Sequence, residues 1–253
     1  MEFIQRYYPN KTAKIWAPNP TWPTHHGIAK ASKLESDTYR YYDPSMKLVN
    51  IDWMMEDIDK LPEGSIVILH ACAHNPTGAD PSHENWKELV KIFQKRKHYA
   101  LFDSAYQGFA SGDLARDAYG IRLFADAGID LMVCQSFAKN LGLYGQRTGT
   151  LQILSKNKEE RDRINSQLKI IARTLWSNPP KYGARVADLV LSDPKLVQMW
   201  YDELKVMSGR IADMRSGLER ELKNAGSTHD WSHISKQIGM FAFTVRRRYN
   251  SRG

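Results

Sequence analysis

Three short polar clusters stand directly after apolar runs, and together they hold the groups of one kind of chemistry. In HACAHNPTG the run IVILHA (66–71) leads into His74, Asn75, Pro76, Thr77 and Gly78. Asn-Pro followed by Gly is ordinary turn chemistry, and it is also a way to present a side-chain amide to a ligand oxygen. In FDSAYQGFA, Asp103 ends a second apolar run and Tyr106 follows three positions later. A carboxylate there is either a helix N-cap or, if buried, the counter-ion of a cation on a ligand, because an unpaired buried charge is costly. In SFAKNLGLYGQRTG, Ser136, Lys139 and Arg147 lie within a dozen residues. A hydroxyl and a guanidinium fork suit a phosphate monoester. A single lysine is by default a surface residue. One flanked by a phosphate site and facing a buried carboxylate reads instead as a Schiff-base former of lowered pKa.

One ligand satisfies all three clusters. Pyridoxal 5'-phosphate carries a phosphate, a ring nitrogen that works best protonated, a phenolic oxygen and an aldehyde, so it asks for an anion site, a carboxylate, a neutral hydrogen-bonding group and a lysine. Ser136 with Arg147, Asp103, Asn75 with Tyr106, and Lys139 fill those roles in turn. A carboxylate beside the pyridinium raises that nitrogen's pKa and keeps the ring an electron sink.

The elements that must position these groups follow from periodicity. From 65 to 153 short runs rich in Val, Ile and Leu (66–71, 99–105, 131–137, 148–154) alternate with helical patterns over 82–97 and 113–127. That alternation predicts an α/β fold, a mostly parallel sheet with helices on both faces, whose functional groups gather at the carboxyl edges of the strands. Beyond 156 the pattern is helical over 156–176, 180–192 and 194–224. A helix of about 30 residues spans about 45 Å, which suits a link between two domains. IGMFAFTV (238–245) reads as the first strand of a second domain. The expected division is 1–193 for an incomplete cofactor-binding domain, 194–226 for a long linking helix, and 227–253 for the start of a small domain with a divergent tail. Glu2 to Tyr8 reads as the tail of a helix, and AKIWAP (13–18) as a strand without a preceding sheet partner. Both ends read as cut.

Composition excludes other classes. The chain has 253 residues, 42% hydrophobic and 25% charged, which excludes disordered and collagen-like chains. No apolar run reaches the roughly 18 residues of a membrane span, and no membrane partner is expected. The two cysteines, Cys72 and Cys134, lack metal-ligand spacing and are expected to be buried thiols in a reducing compartment; no metal is expected. A net charge of +8 is partly a matter of Arg246 to Arg248 and Arg252, and no nucleic-acid motif accompanies it.

The segments HNPTGADP, FDSAYQGFA, SFAKNLGLYGQRTG, WSNPP and QIGMF resemble class I, fold-type-I aminotransferases, most closely the aspartate aminotransferases, over roughly residues 1 to 244. The resemblance implies that Lys139 bonds the cofactor and then shuttles a proton, and that Asp103 pairs with the ring nitrogen, supported by His25 of TWPTHH. It implies that Tyr106 and Asn75 bind the phenolic oxygen, with Asn75 also reaching a substrate α-carboxylate. Trp22 lies against the ring, or is a core tryptophan. Ser136 and Arg147 hold the phosphate. Arg173, in IARTLWSNPP, matches an arginine that reaches across a homodimer to the distal carboxylate of aspartate or glutamate; without that match it reads as a solvated helix residue.

The implied reaction is L-aspartate + 2-oxoglutarate = oxaloacetate + L-glutamate, with amino acids and 2-oxo acids as small-molecule partners. Three family features are absent: a small-residue phosphate-binding turn ahead of the first helix, an N-terminal segment whose tyrosine reaches the partner's phosphate, and the arginine that binds the α-carboxylate, which VRRRYNSRG does not match. Weak or lost activity is therefore expected. The alternative is a catalytically inactive truncated or spliced form that pairs with a full-length subunit. A cytoplasmic location is expected, with an organellar form left open.

Overall fold

The computed structural model describes residues 1–243. In chain order the elements are α1 (Glu2–Tyr7), β1 (Ile15–Asn19), α2 (Thr24–Ala31), β2 (Ser36–Arg40), the short hairpin strands β3 (Tyr42–Asp43) and β4 (Leu48–Val49), and α3 (Ile51–Lys60). There follow β5 (Ile66–His70), α4 (His83–Arg96), β6 (Tyr99–Ser104), α5 (Leu114–Asp117), α6 (Tyr119–Asp126), β7 (Leu131–Ser136) and β8 (Gly149–Ile153). The chain then turns helical through α7 (Lys158–Trp176), α8 (Tyr182–Ser192), α9 (Pro194–Asn224) and α10 (His233–Lys236).

Six strands form one sheet in the order β2-β1-β5-β6-β7-β8, parallel throughout except for β8. The three central strands are buried on both faces, which is why they read as unbroken apolar runs. Val67, Leu69, Ala100, Phe102, Leu131 and Val133 point to one layer, packed with Met54, Ile58, Leu89, Phe93 and Phe124 from α3, α4 and α6. Ile66, Ile68, Leu101 and Met132 point to the other, against Ile4 and Ala29 of α1 and α2. This is the α/β sheet with helices on both faces expected from the sequence.

Local sequence sets the helix ends. Ser82 and Asn85 form a reciprocal capping box at the start of α4, and Lys97 closes it in the left-handed conformation. Asp193 caps α9 by accepting from the amides of Lys195 and Leu196, with Pro194 in the first position. α9 runs unbroken for 31 residues.

Three expectations change. Residues 238–243 form no strand; Phe241 and Gly239 offer their carbonyls to Arg215 instead of to a neighbouring strand. Residues 244 and 245, and the arginines of the tail, lie outside the described residues. AKIWAP forms β1, whose two partners, β2 and β5, both follow it in the chain, as expected. The pattern over 113–127 is two helices, because the Asp117 carboxylate turns back to accept from the amides of Gly108, Ala110 and Ser111. Cys72 is buried as expected but Cys134 is exposed, since it faces the edge where its neighbour on β8, Leu151, is itself 44% exposed.

Candidate active site

The parallel register builds the site. His70 at the end of β5 pairs with Asp103 on β6, which pairs with Cys134 on β7, and Ser136 ends that strand. Three carboxyl edges therefore place His70, Asp103 and Ser136 side by side, with the Asn75 turn, Tyr106 and Lys139 on the segments that leave them.

Asp103 is the centre of charge. Its Oδ2 accepts from His25 Nε2 at 2.9 Å, with the side chains 23% and 8% exposed. Burial raises the Asp103 pKa, but the His25 hydrogen bond and the neighbouring cationic groups outweigh it and hold the carboxyl below its ordinary value. Behind His25 stands a chain of bonds that one proton assignment satisfies. The Asn75 backbone N–H donates to His70 Nδ1 at 3.3 Å, and burial drives the His70 pKa well down, so its proton sits on Nε2. Nε2 lies 3.2 Å from Thr21 Oγ1, whose own proton turns to His25 Nδ1 at 2.8 Å. His25 is thereby left with a proton on Nε2, directed at Asp103. His25, His70 and Asp103 also bring three potential metal-ligating atoms within 4.8 Å of one another, but the hydrogen bonds already use those atoms.

Lys139 is half-buried, its Nζ 4.9 Å from the centroid of the Tyr106 ring and 5.6 Å from that of Tyr144. Burial lowers its pKa, the Asp103 charge pulls it back up, and Arg147 lowers it further. The Tyr106 phenol is pushed up to about 12 by burial and by Asp103, while the Asn75 amide acts in the opposite sense. Ser136 Oγ accepts from the Ala138 amide at 3.1 Å. Arg147 is exposed in a left-handed turn and donates to the Tyr144 carbonyl at 3.2 Å. Trp22 is 40% exposed and meets the His25 ring edge-on at 5.4 Å.

Eight of the nine residues with a role expected from the sequence thus lie in the cluster of loops, strand ends and helix start that includes Asp103. Arg173 does not join them: it is exposed near the end of α7 and lines an open groove of about 570 Å³ with Lys169, Ser177 and Asn178. Neither that groove nor a cavity of about 500 Å³ lined by Asp80, His83 and Asp117 includes Lys139 or Asp103. Sequence reasoning missed Thr21 and His70. His74, which the sequence did single out, is a packing residue: it stacks on Tyr41 at 4.2 Å and burial lowers its pKa to about 3. Nothing in the spacing separates His70 from His74; only the strand end does.

The residues present fit pyridoxal phosphate on their own chemistry. An ionised carboxylate with a fixed donor behind it suits a ring N–H, and a lysine with lowered pKa beside a phenol suits the aldehyde side.

Comparison with known proteins agrees with this geometry. A family model described as aminotransferase class I and II matches residues 2–251. The mitochondrial aspartate aminotransferase of Gallus gallus is 49% identical over 242 residues, which cover 96% of this chain and 57% of that protein. The structure of a mitochondrial aspartate aminotransferase from Trypanosoma brucei superposes with a TM-score of 0.94 at 46% identity, covering 96% of this chain and 64% of the other. An aromatic-amino-acid aminotransferase from Burkholderia pseudomallei, solved covalently bound to pyridoxal phosphate, gives 0.92 at 39% identity, covering 95% and 60%. The chain spans little more than half the length of the curated relatives it matches. With its sheet order, its strand-edge site and a family match over nearly all its length, the chain belongs to the class I and II aminotransferases.

Proposed function

We propose that this chain carries the cofactor-binding machinery of a pyridoxal-phosphate-dependent aspartate aminotransferase, exchanging an amino group between aspartate or glutamate and 2-oxo acids. The observation that carries the reading is the ionised Asp103, backed by His25, in one cluster with a lysine of lowered pKa. When bound, pyridoxal phosphate supplies an aldehyde and a ring that withdraws electrons from the carbon losing a proton. Asp103 accepts the ring N–H, and the Thr21–His70 chain keeps His25 turned so that Asp103 stays ionised. Tyr106 and Asn75 meet the phenolic oxygen, Ser136 and Arg147 the phosphate, and Trp22 the ring face. Lys139 holds the cofactor through Nζ and, once free, takes and returns a proton at that atom. Its lowered pKa enlarges the share of neutral amine, the form that accepts a proton.

Arg173 is the proposed contact to a distal carboxylate, offered to the other subunit of a homodimer, since a guanidinium fork recognises a carboxylate bidentately. The divisions 1–193, 194–226 and 227–253 are kept as the proposed domain plan. Both aspartate aminotransferase relatives described above are named as mitochondrial, which favours an organellar setting over a cytoplasmic one. Among the described residues no helix is long and apolar enough to cross a membrane.

A second reading is a catalytically inactive chain that pairs with a longer subunit. Incubation with pyridoxal phosphate separates the possibilities. A near-visible absorbance that Lys139→Ala removes supports cofactor capture, and a colourless wild-type chain refutes it. Absorbance without transamination, restored on mixing with a full-length homologue, selects the second reading.

A further inference from the structure

Arg215 is the least explained cation of the fold. It lies on α9, is only 9% exposed, and has no carboxylate partner among the described residues. Its Nη1 donates to the Ile234 carbonyl at 2.8 Å, and its Nη2 to the carbonyls of Gly239, at 2.7 Å, and Phe241. Nε has no partner. Burial lowers its pKa, as expected for a cation held by carbonyls alone. All three carbonyls belong to one segment, 234–241, that runs from α10 into irregular chain with no neighbouring strand to satisfy it. A planar fork with several fixed donors can gather such carbonyls; an ammonium cannot match that geometry.

The gathered segment presses on the site. The Ile238 amide donates to the Gly78 carbonyl at 2.7 Å, closing it on the Asn75 turn. The backbones approach so closely that a Cβ at Gly78 would lie 2.6 Å from the Phe241 oxygen, and one at Gly239 2.4 Å from Ala73 Cβ. The Phe241 ring meets the Tyr106 ring edge-to-face at 5.7 Å. Gln237 is fully buried and ties the same segment to the Lys47 carbonyl at 3.0 Å. The helix that carries Arg215 touches the site twice more, through Leu204 against Gly108 and through Trp200 Nε1, which donates to the Asn140 carbonyl at 2.6 Å.

We infer that Arg215 is a positioning residue: from α9 it straps residues 234–241 across the 73–78 turn and the Tyr106 ring, and so sets the placement of Asn75 and Tyr106. The roles of those two residues rest on the function proposed above, but the strap itself does not. It differs from a residue of general stability in having a defined pair of targets, both outside the sheet.

Amide hydrogen exchange of the cofactor-free chain tests this. In Arg215→Met, exchange should accelerate about tenfold in 234–241 and in 73–78 together, with β5, β6 and β7 changed less than twofold. Arg215→Lys should behave as the Met variant, because charge without the fork does not hold three carbonyls. Acceleration of 234–241 alone, or equal acceleration across the strands, overturns the inference. If Arg215→Met does not fold, the wild-type chain decides: the Ile238 and Gly78 amides should open with the same dependence on denaturant, and separate openings refute the strap. In the loaded protein, the concentration of pyridoxal phosphate giving half the near-visible absorbance should rise about fivefold in Arg215→Met. A wild-type chain that never colours but shows the paired exchange removes the proposed function and leaves the strap standing.

Discussion

Replacing His25 by Leu should expose how much of the site's energy lies in one hydrogen bond. The bond to Asp103 is 2.9 Å long, and His25 is almost inaccessible while Asp103 keeps 23% of its side chain open. A hydrogen bond to a charged group contributes about 1.5–3 kcal/mol, and breaking a fully buried pair costs about 3–5. The open side of Asp103 admits water, so the lower range applies. The single variant also removes an acceptor for Thr21 and the edge contact to Trp22, so the pair must be isolated by a double-mutant cycle with Asp103→Asn. Urea unfolding of the four cofactor-free proteins at pH 7 should give a coupling of about 1.5–3 kcal/mol. The pH dependence has a fixed sign. The folded Asp103 pKa lies below its unfolded value near 3.9, so its contribution is whole above that value and is lost only as pH falls through the folded pKa. The Asp103 contribution should thus persist from pH 8 to 5 and fade below about pH 4. A coupling under about 0.5 kcal/mol at pH 7 would show that the bond only orients His25 and does not stabilise the carboxylate.

Asp80 should act in the opposite sense. Its carboxylate accepts from the amides of Ala73 at 2.6 Å and His74 at 2.9 Å, yet burial, and to a smaller degree the charge of Asp117, push its pKa up to about 6. A raised folded pKa stabilises below the unfolded value and is lost as pH rises through about 6, a loss of about 2–3 kcal/mol between pH 4 and 7. Urea titrations of Asp80→Asn should lack that slope, and an unchanged slope would place the titration elsewhere. Gly239→Ala sets a Cβ 2.4 Å from that of Ala73 at a φ of +77°, and should cost about 2–3 kcal/mol in the same assay. A neutral result would mean that the strap and the turn move apart freely.

What the sequence made legible follows from burial. β5, β6 and β7 are buried on both faces, so their apolar runs announce them, and the polar residues at their ends announce the site. β2 does not announce itself: of SDTYR only Tyr39 is buried, its hydroxyl donating to the Ile68 carbonyl at 2.8 Å, and an edge strand of that kind looks like a loop. The misreading of 238–243 has the same root. Gly239, Phe241 and their neighbours are apolar because they are wedged between α9 and the 73–78 turn, a burial that mimics a strand without any ladder. Arg215 gave no signal at all, since an arginine in GRIADMRSGLER has the spacing of a solvated helix face. Cys134 shows the converse, an apolar run that ends on an open face.

Two kinds of support therefore meet at one site. Asp103 and Ser136 are held by strand register, and Thr21, His25 and His70 add polar bonds behind the sheet edge. Asn75 and Tyr106 sit on connecting segments whose placement depends on a strap fixed from a helix far along the chain. Sheet register resists displacement because a slip moves every residue of a strand at once, whereas a strap of three carbonyls on one guanidinium yields locally. Asp103 and Ser136 thus stand on the rigid part, and Asn75 and Tyr106 on the part that adjusts.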